Sequence, residues 1–328
     1  MHKKGPMEKI LTLIEKDLKR LELAIDTLNE TKVKVITNII DHIIKSGGKR
    51  IRPILLILTS KLCGYKGKRH IKYAAVIEFI HTATLLHDDV IDNAQLRRGS
   101  STANILWGNQ ASVLVGDFLY SKSFELMSKE GNMDIIKTVS NATTILSEGE
   151  ILELIKTSDT NLTEEEYFEI INKKTAILFS AACEIGGILG DISKAKIRRL
   201  SDYGKYLGIA FQLVDDLLDY VGEKDTFGKQ VGTDLKEGKV TLPLIYTLKH
   251  ASEKDSSLIK ENLHKREITS KDFKTVKNIV EKYGGFQYTH NVTKIYIEKA
   301  RKCLEGFGPS NYKDALLSLT DMMLTRKV

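Results

Sequence analysis

Apolar residues recur along this chain at helical spacing almost throughout. The stretch MEKILTLIEKDLKRLELAIDTL puts Ile10, Ile14, Leu18, Leu21, Ile25 and Leu28 on one stripe, near the three-to-four spacing of a buried helix face. A second helix over 33–46 should stop at Gly47-Gly48, because glycine tolerates the left-handed backbone of a helix end. Pro53 falls where the next helix can take it in its first turn. The same periodicity predicts helices over 69–92, 110–129, 133–157, 164–189 and 194–221, with shorter ones following a loop. In TEEEYFEI, Thr163 and Glu166 carry the signature of a capping box. Strand alternation and hairpin signals are absent. The pattern therefore predicts one all-α domain over residues 1–328.

Composition narrows the class without changing the fold. With 42% apolar residues in 328, and only four prolines, the chain can bury a large helical core. Cys63, Cys183 and Cys303 are widely spaced and odd in number, which suits reduced thiols and offers neither a disulfide framework nor a zinc pattern. The opening MHKKGPMEKI lacks the apolar core of a signal peptide, and no run approaches the roughly 18 apolar residues of a membrane span. A cytoplasmic protein without a stable span is expected. The net charge of +7 would suit an anionic partner, but the lysines are interleaved with glutamates and read as solvated helix faces. No basic stripe with stacking aromatics appears, so nucleic acid is not expected as a partner.

One feature resists this bland reading. TLLHDDVIDNAQLRRG places Asp88, Asp89 and Asp92 in an apolar helical run, where Asp88 and Asp92 share a face and repel. FQLVDDLLDYVG repeats the spacing at Asp215, Asp216 and Asp219. Helical bundles build metal sites from carboxylates of this kind. Carboxylates without histidine or cysteine at ligand spacing favour Mg²⁺ or Mn²⁺, and Mg²⁺ commonly completes its shell with phosphate oxygens. Phosphate calls for cations, and these come in groups: Lys49, Arg50 and Arg52 in SGGKRIRP, Arg97 and Arg98 in RRG, then Lys173, Lys174, Lys229 and Lys239. The Gly-Gly-Lys run has neither the spacing of a P-loop nor a strand before it.

Taken in order, GGKRIRP, EFIHTATLLHDDVID, RRG, ASVLVGDFLY, SEGEILEL, KKTAILF, YGKYLGIAFQLVDDLLDY and GTDLKEGKVTLPLI resemble the trans-polyprenyl diphosphate synthases, the all-α polyprenyl synthetase family. Within it, the likeness is greatest to the bacterial octaprenyl type. The resemblance implies a bundle of long helices around a central cavity, of the isoprenoid synthase type. It implies that Asp88, Asp92 and Asp215 bind Mg²⁺, three ions per site with substrate, while Asp89, Asp216 and Asp219 are accessory acids. Lys49, Arg52, His81 and Arg98 match the isopentenyl diphosphate site; Arg97, Lys174, Lys229 and Lys239 match the grip on an allylic diphosphate. Thr175 and Gln212 match polar groups near the reacting carbon. A homodimer is implied, as is transient membrane contact for product release. His81 lies two turns before Asp88 and would otherwise read as a core histidine; His87, on another face, reads as structural.

The implied reaction is head-to-tail condensation of isopentenyl diphosphate with an allylic diphosphate, supplying a quinone side chain. In the family, small residues one turn before the first acids go with long products, and Ala83 and Thr84 are both small. One helical turn is ~5.4 Å, near the length of one prenyl unit, so bulk here would act as a floor; its absence points to about C35–C45, with C40 favoured on the octaprenyl likeness. The alternatives are a short-chain farnesyl or geranylgeranyl synthase, a terpene cyclase or head-to-head synthase, or the non-catalytic subunit of a two-component synthase. Cyclases usually replace the second acidic triplet with a mixed Asn, Ser and Glu motif, and non-catalytic subunits tend to lose the acids; all six stand here.

Overall fold

The computed structural model describes residues 5–28, 31–222, 232–265 and 267–325. In chain order the elements are α1 (Pro6–Leu13), α2 (Glu15–Leu28), α3 (Lys34–Lys45), α4 (Ile51–Leu62), α5 (Arg69–Ile91), β1 (Leu96–Arg97), β2 (Ser100–Ser101), α6 (Ala103–Trp107), α7 (Asn109–Glu130) and α8 (Met133–Ile155). Then come α9 (Glu164–Ile171), a π-helical segment (Asn172–Ala176), α10 (Ile177–Leu189), α11 (Lys194–Val221) and α12 (Thr233–Lys236). The last are α13 (Leu242–His250), α14 (Glu253–Leu263), α15 (Ser270–Lys282), α16 (Gly285–Cys303) and α17 (Asn311–Thr325). The protein is all-α, as its periodicity predicts.

Three local features depart from the sequence reading. The first stripe breaks at Ile14, between α1 and α2, although Ile10, Ile14, Leu21 and Ile25 are all buried as expected. The helix expected over 164–189 is interrupted by the π segment, whose five residues look helical by periodicity alone. And RRG is not simple loop. β1 and β2 pair antiparallel with Arg97 opposite Ser100, and Arg98 and Gly99 turn between them at φ 52° and 79°. Positive φ at both central residues is the geometry that fits the twist of a tight hairpin.

The chain forms two compact units. One comprises Met1–Thr143, Leu178–Gly204 and Arg301–Leu319. At its core α5 buries Tyr73, Val76, Ile77, Phe79, Ile80, Ala83 and Leu86, and so is apolar on almost every side, as only an interior helix can be. Helix α4 buries the unbroken run Ile54–Leu58. Asp17 of α2 is buried between Lys61 of α4 and His70 of α5, each 3.3 Å away, which fastens the N-terminal helices to this core. Helix α10 crosses close to α4 at Gly186, where a Cβ would stand 2.0 Å from Thr59 Oγ1 and 2.7 Å from the Ser60 amide nitrogen.

The other unit comprises Thr144–Ile177, Lys205–Ala300 and Thr320–Val328. Its core gathers Tyr167, Ile170, Ile171, Ile209, Leu213, Leu242, Leu244, Ile259, Val276 and Val280. The predicted capping box opens α9: Thr163 Oγ1 accepts from the Glu166 amide at 3.2 Å, and Glu166 accepts from the Thr163 amide at 2.9 Å. Thr269 and Asp272 repeat it on α15.

Gly186→Ala provides a test with a definite sign. In an open helix this change stabilises by about 1 kcal/mol. Here the methyl meets backbone, so urea denaturation should show a loss of about 1–3 kcal/mol. A gain in stability would mean that α4 and α10 are not this close.

Candidate active site

In the first unit, Asp88, Asp89 and Asp92 end α5, with the Asp92 amide donating to the Asp88 carbonyl at 2.8 Å. Acids at a helix C-terminus oppose the helix dipole, so this end of α5 requires positive charge. Asp89 is 1% exposed and receives it from Arg97. Nε donates to Oδ1 at 2.8 Å and to Oδ2 at 3.1 Å, and Nη2 lies 2.8 Å from Oδ1. The hairpin makes this fork possible by turning the chain back beside α5. Asp88 and Asp92 are only half-buried.

A basic cluster gathers in the same unit. The charges of Arg52, Arg97, Arg98 and Arg50 all act on His81, which burial and these neighbours hold well below its ordinary pKa. The imidazole is thus neutral at pH 7. Burial also lowers the Arg98 pKa, aided by Arg97 and Arg50. Gly48 passes so near that a Cβ would stand 3.0 Å from Arg98 Nη1. The Arg52 guanidinium sits 4.6 Å over the Phe179 ring, and Lys49 is exposed. Arg50 plays another part. At a left-handed φ of 47° it starts α4, donating from Nη1 to the buried Glu78 at 2.6 Å and from Nε to Glu22 at 3.4 Å. It is therefore tied to carboxylates within the cationic group. Ala83 and Thr84 are buried on α5, and the Thr84 hydroxyl donates to the His81 carbonyl at 2.8 Å.

In the second unit, Lys174, Thr175, Gln212, Asp216 and Lys239 line one cavity of about 140 Å³. The π segment presents Lys174 and Thr175 there, and such bulges often mark functional positions. Gly149 lets α8 approach it, since a Cβ would lie 2.7 Å from the Lys174 amide nitrogen. Lys174 pairs with Glu150 at 2.7 Å and Glu153 at 2.5 Å; Lys239 pairs with Glu237 at 2.7 Å. Lys173 instead bridges Glu148 and Glu169 at 3.2 and 3.0 Å, on the solvent side. Thr175 Oγ1 donates to Gln212 Oε1 at 2.8 Å, Gln212 Nε2 donates to Asp216 Oδ1 at 2.8 Å, and the Tyr167 hydroxyl donates to Asp216 Oδ2.

The three acids of α11 differ in role. Burial pushes the Asp216 carboxyl up to about 7, with Asp215 and Glu153 adding to the rise and the bonds from Tyr167 and Gln212 opposing it. Asp219 accepts from the Thr233 and Asp234 amides, each at 3.1 Å, and so caps α12. Asp215 is half-buried. Two residues of this site escaped the sequence reading. Glu153 works against burial, but Lys174 and Lys239 prevail and lower its pKa. Its signal was the SEGEILEL motif, read only as a likeness. Tyr167 reads as core until its hydroxyl is seen on Asp216. Lys229 lies outside the described residues.

Among the described residues, no three acid, histidine or cysteine side chains converge into a ready-made metal cage. All-carboxylate donors that are half-buried, at Asp88, Asp92 and Asp215, fit a magnesium ion that takes one or two protein oxygens and completes its shell from water and diphosphate.

The polyprenyl synthetase family model matches residues 33–280. Octaprenyl diphosphate synthase of Escherichia coli K12 is 39% identical over 323 residues, 98% of this chain and 99% of that protein. Geranylgeranyl diphosphate synthase of Saccharolobus solfataricus is 36% identical over 278 residues, 82% and 83% of the two chains. The crystal structure of polyprenyl synthase from Caulobacter crescentus CB15, solved with calcium and isoprenyl diphosphate, matches at a TM-score of 0.95 and 38% identity over 100% of each chain. The chain thus belongs to the polyprenyl synthetase family and is an enzyme of the trans-prenyltransferase class.

Proposed function

We propose that this enzyme condenses isopentenyl diphosphate head-to-tail with an allylic diphosphate, giving an all-trans polyprenyl diphosphate of about C35–C45, octaprenyl favoured. The observation that carries the reading is the division of labour in each acidic triplet: one acid is buried on protein partners, while Asp88, Asp92 and Asp215 stay half-buried. Magnesium dependence is a general property of the family. Bound at those acids, three ions per site, magnesium would stabilise the negative charge that builds on the departing diphosphate. Mn²⁺ suits the same oxygens.

The protein's own groups do the rest. Lys174, Lys239, Arg97 and Lys229 grip the allylic diphosphate by charge. Arg52, Arg98 and Lys49 hold isopentenyl diphosphate, and His81, neutral, contributes a hydrogen bond rather than a charge. The allylic C–O bond breaks with its electron pair leaving on diphosphate. The alkene of isopentenyl diphosphate then attacks the allylic cation, and the released diphosphate accepts the proton lost. Water would trap the cation, so the site must be dry. The apolar neighbours Leu85, Leu86, Leu213 and Leu217 suit that need; Leu85 is half-buried and the other three are buried.

Product length rests on Ala83 and Thr84 and on the full-length likeness to an octaprenyl synthase. The geranylgeranyl synthase likeness favours a second reading, a short-chain synthase. We also propose a homodimer. Ile105 and Leu106 of α6, with Val113 and Leu114 of α7, expose 37–66% of their surface, an apolar group that a second copy would cover. A quinone side chain is the proposed destination, transient membrane contact serves product release, and no nucleic acid takes part. No described helix is long and apolar enough to cross a membrane.

Asp88→Ala or Asp215→Ala should lower condensation about a thousandfold or more in saturating Mg²⁺, with unchanged circular dichroism. Near-normal turnover by either would sink the assignment of these acids. Ala83→Tyr puts a phenol one turn below Asp88 and should cut the main product to about C15–C20 while sparing the first condensations. Chromatography of the dephosphorylated products decides this; an unchanged length would mean that the growing tail does not pass Ala83.

A further inference from the structure

The cavity of the second unit contains a polarity that its lining does not fix alone. Gln212 has a donor end and an acceptor end, and either could face Thr175. Asp216 decides between them. Its Oδ1 is the acceptor that faces the amide, so Gln212 turns Nε2 to it at 2.8 Å. Oε1 is then left at the other end, where it takes the proton of the Thr175 hydroxyl at 2.8 Å. The hydroxyl hydrogen is thereby committed, and the remaining lone pairs of Thr175 Oγ1 and Gln212 Oε1 carry partial negative charge in the cavity. Reversing the amide would put N–H groups there, with the opposite sign.

Asp216 is itself held from behind. It is 2% exposed, and its second oxygen accepts from the hydroxyl of Tyr167, which is 3% exposed on α9. Without that bond the carboxylate could rotate, and a buried acceptor would lack its donor. We infer that Tyr167 is a positioning residue: through Asp216 it fixes the orientation of Gln212, so that two oxygens rather than N–H groups meet the carbon that becomes cationic. The inference rests on the prenyltransferase reading. It makes Asp216 a setter of hydrogen-bond direction, in contrast to Asp215 beside it. Preorganised dipoles of this kind act where charge develops and need no reorganisation during the step.

The test is steady-state kinetics on the full chain with farnesyl diphosphate, labelled isopentenyl diphosphate and Mg²⁺. Tyr167→Phe should lower kcat about 10- to 100-fold, the effect expected when a buried acceptor loses its donor, with KM for both substrates and the Mg²⁺ half-saturation within about twofold of wild type. Gln212→Leu should lower kcat to a similar extent. In the double variant Tyr167→Phe should add less than about threefold, because its effect passes through Gln212. A merely structural tyrosine would instead give independent, multiplicative losses, and that result overturns the inference. So does wild-type kcat in Gln212→Leu, a comparison that stands even if Tyr167→Phe does not fold. No turnover by the wild-type chain would sink the prenyltransferase reading and this inference with it. An active wild type matched by an equally fast Tyr167→Phe would sink the inference alone.

Discussion

A carboxylate removed from water costs several kcal/mol unless donors replace its hydration, and this protein meets that cost at one acid in each triplet. Asp89 is compensated by charge, through the fork from Arg97. Asp216 is compensated in part by neutral donors, Tyr167 and Gln212, and burial still raises its carboxyl. Both choices have structural consequences. The first requires a hairpin after α5 to return Arg97 to the helix end, and it places Arg98 at a left-handed turn position among the other arginines. The second requires α9 and the π segment to bring Tyr167 and Thr175 to α11.

The cations follow the same logic. Arg50, Arg52, Arg97 and Arg98 stand close enough to suppress the charge on His81, and gathering them costs energy that Glu78 and Asp89 offset in part. A diphosphate would offset more. Lys174 and Lys239, by contrast, rest on Glu150, Glu153 and Glu237, so a substrate phosphate must compete with carboxylates that already hold them.

Much of this was legible in the sequence. The 3.6-residue period located the long helices, because each buries a stripe; α5 and α11 begin and end within a residue of the predicted bounds. The paired triplets and clustered cations were visible because charge inside apolar runs is costly and so conspicuous. The rest was hidden for identifiable reasons. Periodicity cannot separate a π segment from the α-helix on either side of it. A hairpin of two residues per strand is too short to alternate, and only Gly99 hinted at its turn. Arg50 and Arg52 look equivalent in GGKRIRP, and the pairing of Arg50 with Glu78, far along the chain, leaves no mark there. Tyr167 carried no signal of its own, since a buried tyrosine is ordinarily core and its partner lies on another helix.

Prenyl transfer is the activity that the chain's class requires. Its most direct measurement is the incorporation of labelled isopentenyl diphosphate by the purified chain alone, given farnesyl diphosphate and Mg²⁺, with products separated by length. Mg²⁺-dependent extension to a dominant product of about C40 is expected, the length proposed from the small residues Ala83 and Thr84 and the octaprenyl synthase likeness. Absence of incorporation with every allylic primer, or release of a cyclic hydrocarbon with no isopentenyl diphosphate consumed, would contradict it.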